Sequence, residues 1–146
     1  MSAMPGPEYF VDTNVLLYAV NTNPSEARKT EIARALLKTV NWGWSAQVAA
    51  ELVRASTSSR QARPLTHSEA RGWIEVWMAF SMVSIDGMLV LEALAISERF
   101  QISHFDAQIL AAAKRMGCVT VYSEDLNHGQ GYGGVRVLDP SRATAS

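Results

Sequence analysis

Short β-prone runs alternate with longer stretches of helical spacing along this chain, and that alternation predicts an α/β fold. Two further observations sharpen it. The β-prone runs are nearly all apolar, as strands buried on both faces are, which points to a mostly parallel sheet covered by helices on each side. Two of these runs, 9–11 and 118–122, are followed closely by acids, Asp12 and Asp125, and ligand sites of parallel sheets gather at the carboxyl ends of strands.

In chain order, Tyr9 to Val11 reads as a short buried strand ending at Asp12, and Asp12-Thr13-Asn14 opens a helix through Ala19. Asn23-Pro24-Ser25-Glu26 has the residues of a helix start: a capping Asn, a first-turn Pro and Glu at the capping-box position. Ile32/Ala33 and Leu36/Leu37 then recur at helical spacing. Trp42 to Ser45 is a second strand, followed by a helix from 46 to 57. The polar, Pro-terminated stretch 58–64 is a loop. Thr66-His67-Ser68-Glu69 is a second capping box, leading into an apolar stripe of Ala70, Trp73, Ile74, Trp77 and Phe80.

Met82 to Ile85 reads as a short strand, and Asp86 caps a helix carrying Leu89, Val90, Ala93 and Leu94. Ser103 caps the next helix, which stops at Met116-Gly117 with Gly in its usual place. Cys118 to Tyr122 is a β-branched strand. A Gly-rich loop over 123–134 leads to a last strand, Val135 to Leu138, and 143–146 reads as a frayed tail. With 146 residues, no repeat and no composition break, a single domain over 1–146 with a core from about 9 to 140 is expected.

Composition removes several classes of function. With 48% hydrophobic and 18% charged residues, the chain is not of the disordered type. No apolar stretch reaches the roughly 20 residues of a membrane helix, and the first eight residues lack a secretory pattern, so a cytoplasmic protein is expected. The lone Cys118 sits in an apolar strand and reads as a core side chain rather than a nucleophile. Ten of the 13 basic residues are Arg, which suits phosphate contacts, and a net charge of −1 leaves nucleic acid open as a partner. Arg54, Arg60, Arg63 and Arg71 cluster around the polar loop.

The chemistry-bearing residues are four carboxylates, Asp12, Glu51, Asp106 and Asp125. Each has an ordinary alternative: a helix cap for Asp12, a capping-box acid for Asp106, a surface pair with Arg54 for Glu51, a turn for Asp125. Brought together they would form a dense acidic pocket, tolerable only with cations between the charges. Three histidines without cysteine partners do not suit zinc, whereas carboxylates plus water suit Mg²⁺ or Mn²⁺. One such ion can orient and deprotonate water, and two about 4 Å apart can stabilise both oxygens of phosphodiester hydrolysis. Gly129-Gln130-Gly131-Tyr132-Gly133-Gly134 matches a dinucleotide fingerprint, but it precedes a strand rather than opening a helix, so a flexible rim beside the acidic site is expected there. His128 beside it reads as a solvated loop histidine, with a phosphate contact the sharper alternative. Trp73, Trp77 and Met78 read as core, with a dimer face as the alternative.

In their order, FVDTNVLLYA, QVAAEL, SHFDAQILAAA and YSEDLNHGQ resemble the PIN-domain family, and within it the VapC-type toxins of toxin–antitoxin systems. The resemblance runs from Tyr9 to about Pro140. It implies a three-layer α/β/α sandwich with a mostly parallel sheet and a Mg²⁺- or Mn²⁺-dependent endoribonuclease that works without a covalent intermediate. It also implies that Asp12 and Asp106 are the principal metal ligands, that Glu51 and Asp125 complete the cluster, and that Thr13, Asn14 and Ser123 hold ligands or water in place. An RNA substrate, a homodimer and a small cognate antitoxin complete what the resemblance implies. The rival readings are a DNA nuclease of the flap-endonuclease type and a PIN-like module that binds RNA or a partner without cutting. A haloacid-dehalogenase phosphatase is disfavoured, because Asp12-Thr13-Asn14 lacks the second acid of that nucleophile motif.

Overall fold

The structure, a computed structural model, describes residues 6–143. Its centre is a six-stranded sheet in which β1 (Tyr9–Val11), β2 (Trp42–Ser45), β3 (Met82–Val83), β4 (Thr120–Tyr122), β5 (Gly131–Tyr132) and β6 (Val135–Leu138) stand in the order β3-β2-β1-β4-β6-β5. Every pairing is parallel except β5 with β6. Successive strand residues face opposite sides of a sheet. Phe10 and Val11 are both fully buried, as are Trp42 and Trp44 with Ser45 beside them. Helices therefore cover both faces, as parallel sheets require.

On one side α6 (His104–Met116) lies against β2, β3, β4 and β6, with α5 (Gly87–Phe100) packed on it. Its run Ala107–Ala113 is buried, and the small side chains let the helix sit close to the strands. Gly43 of β2 marks the closest approach: a Cβ there would collide with the Met116 thioether and the Pro7 ring. Gly117, at φ 82°, ends α6 in the left-handed conformation that favours glycine. A second helical group comprises α1 (Thr13–Val20), α2 (Ala27–Thr39), α3 (Ala46–Ser56), α4 (His67–Trp77) and the short α7 (Pro140–Ala143). Within it α1 contacts α2 and α3, α3 contacts α4, and α2 contacts α7. The fold is thus the mixed α/β arrangement expected, a mostly parallel sheet flanked by helices.

Several local expectations need correction. The Asn23 side chain accepts from Ser25 N, so residues 24–26 form a 3₁₀ turn and the α-helix begins only at Ala27. Glu26 accepts from Asn21 instead of closing a capping box. The third strand stops at Val83 rather than Ile85, and the fourth begins at Thr120 rather than Cys118. Most instructive is the Gly-rich stretch, expected as a loop and flexible rim. It holds β5, which turns back onto β6 through Gly133 (φ 61°) and Gly134 (φ 99°), pairing Tyr132 with Val135. Two positive φ values in a two-residue connection are the hairpin geometry that matches strand twist. Residues 140–143 form α7, so the tail expected from 143 does not begin there, and 144–146 lie outside the described residues.

The aromatic stripe of α4 is core. Trp77 is buried, edge-on to Trp42 and Trp44, and Phe80 stacks on Trp42 at 4.1 Å. Trp77 is therefore closed to a dimer face, while Met78 is exposed and Trp73 half-buried. Cys118 is a buried free thiol donating to Pro7 O.

Candidate active site

The strand order places the site. From β1 the chain moves outward through β2 to β3, then returns to lay β4 on the other side of β1. That reversal makes the carboxyl ends of β1 and β4 a topological switch point, the place where parallel sheets bind ligands. Asp12 follows the last residue of β1, and Ser123 follows the last residue of β4. Val11 pairs with Tyr122, and Asp12 N donates to Tyr122 O at 3.0 Å, so the register sets the two side by side.

Asp12 is the anchor. Its side chain caps α1 by accepting from Thr13 N at 2.7 Å, while its other oxygen accepts from Ser123 Oγ at 2.8 Å. Both it and Ser123 are buried. Removal from water pushes the Asp12 carboxyl up to about 7, and the charges of Asp125 and Glu51 push the same way. The two hydrogen bonds pull against that rise without cancelling it. A capping role and a functional one are therefore compatible here: the residue is a cap, and also a carboxylate held where charge is disfavoured.

Glu51 comes in from α3, which starts at the Ser45 cap directly after β2. One oxygen accepts from Thr13 Oγ1 at 2.9 Å and the other from Gln47 Nε2 at 3.2 Å. These bonds turn Glu51 toward Asp12 rather than into the pair with Arg54 weighed above. Asp106 stands in the first turn of α6, where its backbone N–H donates to Ser103 Oγ. Asp125 is exposed, and its N–H donates to Ser123 Oγ. Although the residue is exposed, partial removal of its carboxyl from water raises it from the usual value, the Asn14 amide counters that, and the charges of Asp106, Glu124 and Glu51 add to the rise. Asn14 also accepts from Glu124 N, and its amide nitrogen is buried without a geometrically good hydrogen bond.

The four sequence-identified carboxylates are linked pairwise through Asp125: Asp12 feels Asp125 and Glu51, and Asp125 feels Asp106 and Glu51. Thr13 holds both Asp12 and Glu51, Ser123 holds Asp12, and Asn14 accepts the Glu124 N–H beside Asp125. Among the described residues, no three His, Cys, Asp or Glu side chains close around one point as a ready-made metal cage. A Mg²⁺-type ion does not require one, since it binds through one or two carboxylates and keeps several waters. The all-oxygen donor set and the suppressed ionisation of Asp12 fit such a cation, whose charge would favour the carboxylate form.

Sequence reasoning passed over several polar residues around the acids. Gln47 sits one turn before Glu51, a spacing that signals contact on a helix. Gln108 stands alone in the buried Ala-rich run of α6 and donates to Gln47 at 2.7 Å. Glu124 accepts from both Tyr18 at 2.7 Å and Lys29 at 2.9 Å, at the flank of the site. His128, which the sequence did single out, is exposed and accepts the Asp139 N–H at Nδ1, so it braces the loop before α7. Arg54, Arg60, Arg63 and Arg71 are all exposed.

The fold recurs in solved structures. A toxin–antitoxin complex from Klebsiella pneumoniae matches with TM-score 0.67 at 17% identity, over 90% of this chain and 97% of that one. VapC20 of Mycobacterium tuberculosis, a toxin that cleaves the sarcin-ricin loop, matches with TM-score 0.65 at 19% identity, over 93% and 95%. DNA-bound VapBC from Salmonella typhimurium matches with TM-score 0.63 at 18% identity, over 92% and 98%. No curated protein sequence matches the chain. The model of the PIN domain matches residues 9–130, a span that includes Asp12, Glu51, Asp106 and Asp125, and this chain belongs to the PIN domain family.

Proposed function

We propose that this protein is a metal-dependent endoribonuclease, hydrolysing RNA phosphodiester bonds as the toxin of a toxin–antitoxin pair. The observation that carries the reading is Asp12, buried at the β1/β4 switch point with its charge opposed by burial and by two neighbouring acids. A carboxylate so placed is a poor structural choice and a good cation holder. Membership of the PIN family and the likeness to toxins of toxin–antitoxin complexes support the rest.

In this reading Asp12 and Asp106 hold Mg²⁺ or Mn²⁺, with Glu51 and Asp125 completing the acidic set. When bound, the cation supplies charge neutralisation at a phosphoryl oxygen and lowers the pKa of water. Thr13 and Gln47 fix the two oxygens of Glu51, so that Glu51 or its neighbour Asp125 orients the attacking water. Ser123 holds Asp12 from one side and Asp125 from the other. Exposed Arg54, Arg60, Arg63 and Arg71 offer guanidinium groups to the RNA backbone. A cognate antitoxin is the inhibiting partner. A second copy of the chain covers the exposed Met88, Leu91 and Leu94 of α5, which are three residues apart on one helix face.

The test is cleavage of total cellular RNA by partner-free wild type and Asp12→Asn, with Mg²⁺ and with chelator. Discrete cuts that disappear with chelator and in the variant are expected. DNA cleavage without RNA cleavage would replace the reading with a DNA nuclease. The second reading is a PIN-like module that binds RNA or a partner without cutting. Weak Mg²⁺ binding with no turnover on either nucleic acid would establish that one.

A further inference from the structure

Glu51 ends a chain of side-chain hydrogen bonds that crosses from α6 to α3. His104 Nε2 lies 2.8 Å from Gln108 Oε1, Gln108 Nε2 donates to Gln47 Oε1 at 2.7 Å, and Gln47 Nε2 donates to Glu51 Oε1 at 3.2 Å. Gln47 spends its second N–H on Phe105 O at 3.3 Å, which ties the chain to the backbone next to Asp106. Thr13 Oγ1 holds the far oxygen of Glu51. Gln108 is 6% exposed, and His104 Nδ1 is buried with no hydrogen-bond partner.

The direction of this chain follows from chemistry. An ionised carboxylate can only accept, so Gln47 must present its NH₂ to Glu51 and its carbonyl to Gln108. Gln108 must then present its own NH₂ to Gln47, which leaves its carbonyl toward His104. That carbonyl needs a donor, so His104 carries its proton on Nε2. Reversing either amide would set oxygen against oxygen at one end of the chain. A buried amide that donates and accepts along one line is an expensive way to fill space, because a broken link strands polar groups away from water.

We infer that Gln108 and Gln47 are positioning residues for Glu51: a one-way hydrogen-bond chain from His104 in α6 sets the Glu51 carboxylate facing Asp12 before any cation arrives. The inference rests on the nuclease reading for its purpose, and on geometry alone for its existence. Outer-shell partners of this kind commonly change metal affinity or activity by about 10–100-fold when removed.

The experiment compares wild type, Gln47→Met, Gln108→Met and the double variant, since Met keeps volume and removes the hydrogen bonds. Mn²⁺ alone is the probe, its dissociation constant read by electron paramagnetic resonance, with kcat and KM for RNA measured in parallel and melting curves checking the fold. Each single variant is expected to weaken Mn²⁺ binding about tenfold and to lower kcat with KM unchanged. The double variant is expected to lose no more than the worse single one, because both break the same chain. Nitrogen-15 shifts of His104 supply a readout that packing would not move. Wild type is expected as the Nε2–H tautomer, and Gln47→Met, two links away, as a mixture. If Gln108→Met fails to fold, the half-buried Gln47 tests the same link.

Folded variants with wild-type Mn²⁺ affinity and kcat, additive losses, or an Nδ1–H tautomer in wild type would each overturn the positioning role. Wild type that neither binds Mn²⁺ nor cuts RNA would instead sink the functional reading, and the inference with it.

Discussion

Replacing Asp12 by Asn should stabilise the metal-free protein while abolishing its activity, and the gain should grow with pH. Folding moves the Asp12 carboxyl from 3.8 to about 7. The folded state therefore holds this proton more tightly than the unfolded chain does. The stability tied to it is complete below about pH 3.8 and is lost as the pH rises through 7. A difference of about 3 units at about 1.36 kcal/mol each sets the full loss at about 4 kcal/mol. The Asn variant stays neutral at every pH and escapes that loss. At about 2–4 °C per kcal/mol for a domain of this size, the ceiling on the difference is about 8–16 °C. The assay is thermal unfolding of wild type and Asp12→Asn in chelator, from pH 4 to pH 8. The two melting curves should nearly coincide at pH 4 and separate progressively toward pH 8, with the variant higher. Saturating Mg²⁺ should raise wild type and leave the variant in place, because binding to the folded state alone stabilises it. Melting temperatures that run parallel across the range would refute the argument that Asp12 is held in an environment hostile to its charge.

Three further outcomes follow from particular contacts. Ser123→Ala removes the hydroxyl that serves both Asp12 Oδ2 and Asp125 N, and urea unfolding at pH 8 should register a loss of about 1–3 kcal/mol. Gly43→Ala forces a methyl group into the Met116 thioether and the Pro7 ring. A loss of about 1–3 kcal/mol by chemical denaturation is expected, and Met116→Ala in the same chain should recover part of it; no recovery would mean the clash lies elsewhere. Lys29→Met breaks contacts to Glu124 and Tyr18, but the pair is partly exposed, so less than about 1 kcal/mol should be lost.

The parts of the fold legible in the sequence were those carried by local chemistry. Strands β1, β2 and β6 were evident because their runs are apolar and bounded by caps or turns. Helix starts at Ser45, Thr66, Asp86 and Ser103 were evident because each cap side chain accepts from a first-turn N–H. The second hairpin strand was hidden by a competing motif. Gly133-Gly134 between Tyr132 and Val135 is a hairpin signal in its own right. It was submerged in a glycine pattern that looks like a cofactor loop, and Tyr132, buried edge-on to Phe100, looked like a rim residue. The end of α5 was equally silent, because Gln101 takes the left-handed cap at φ 55° where glycine is the usual marker. In the candidate site, acids and small polar residues could be named from motifs. Gln108 could not, because a lone Gln in an alanine run means nothing until its partner on another helix is known.

Asp12 is satisfied by two neutral donors, yet two neutral hydrogen bonds do not offset burial plus the fields of two acids. If stability alone had shaped this site, a basic side chain beside Asp12 would be the simple remedy, and Lys29 is near enough to the flank to ion-pair with Glu124. Instead the cation sits outside the acidic centre, and the donors within it are hydroxyls, amides and backbone N–H groups. Neutral donors fix where a carboxylate points without neutralising it. A site furnished that way keeps its negative charge available to a cation that comes and goes. Placing Lys or Arg inside it should stabilise the apo protein and cancel Mn²⁺ binding together. A basic substitution at Thr13 that raised the melting temperature in chelator while leaving Mn²⁺ affinity intact would break the link between the two.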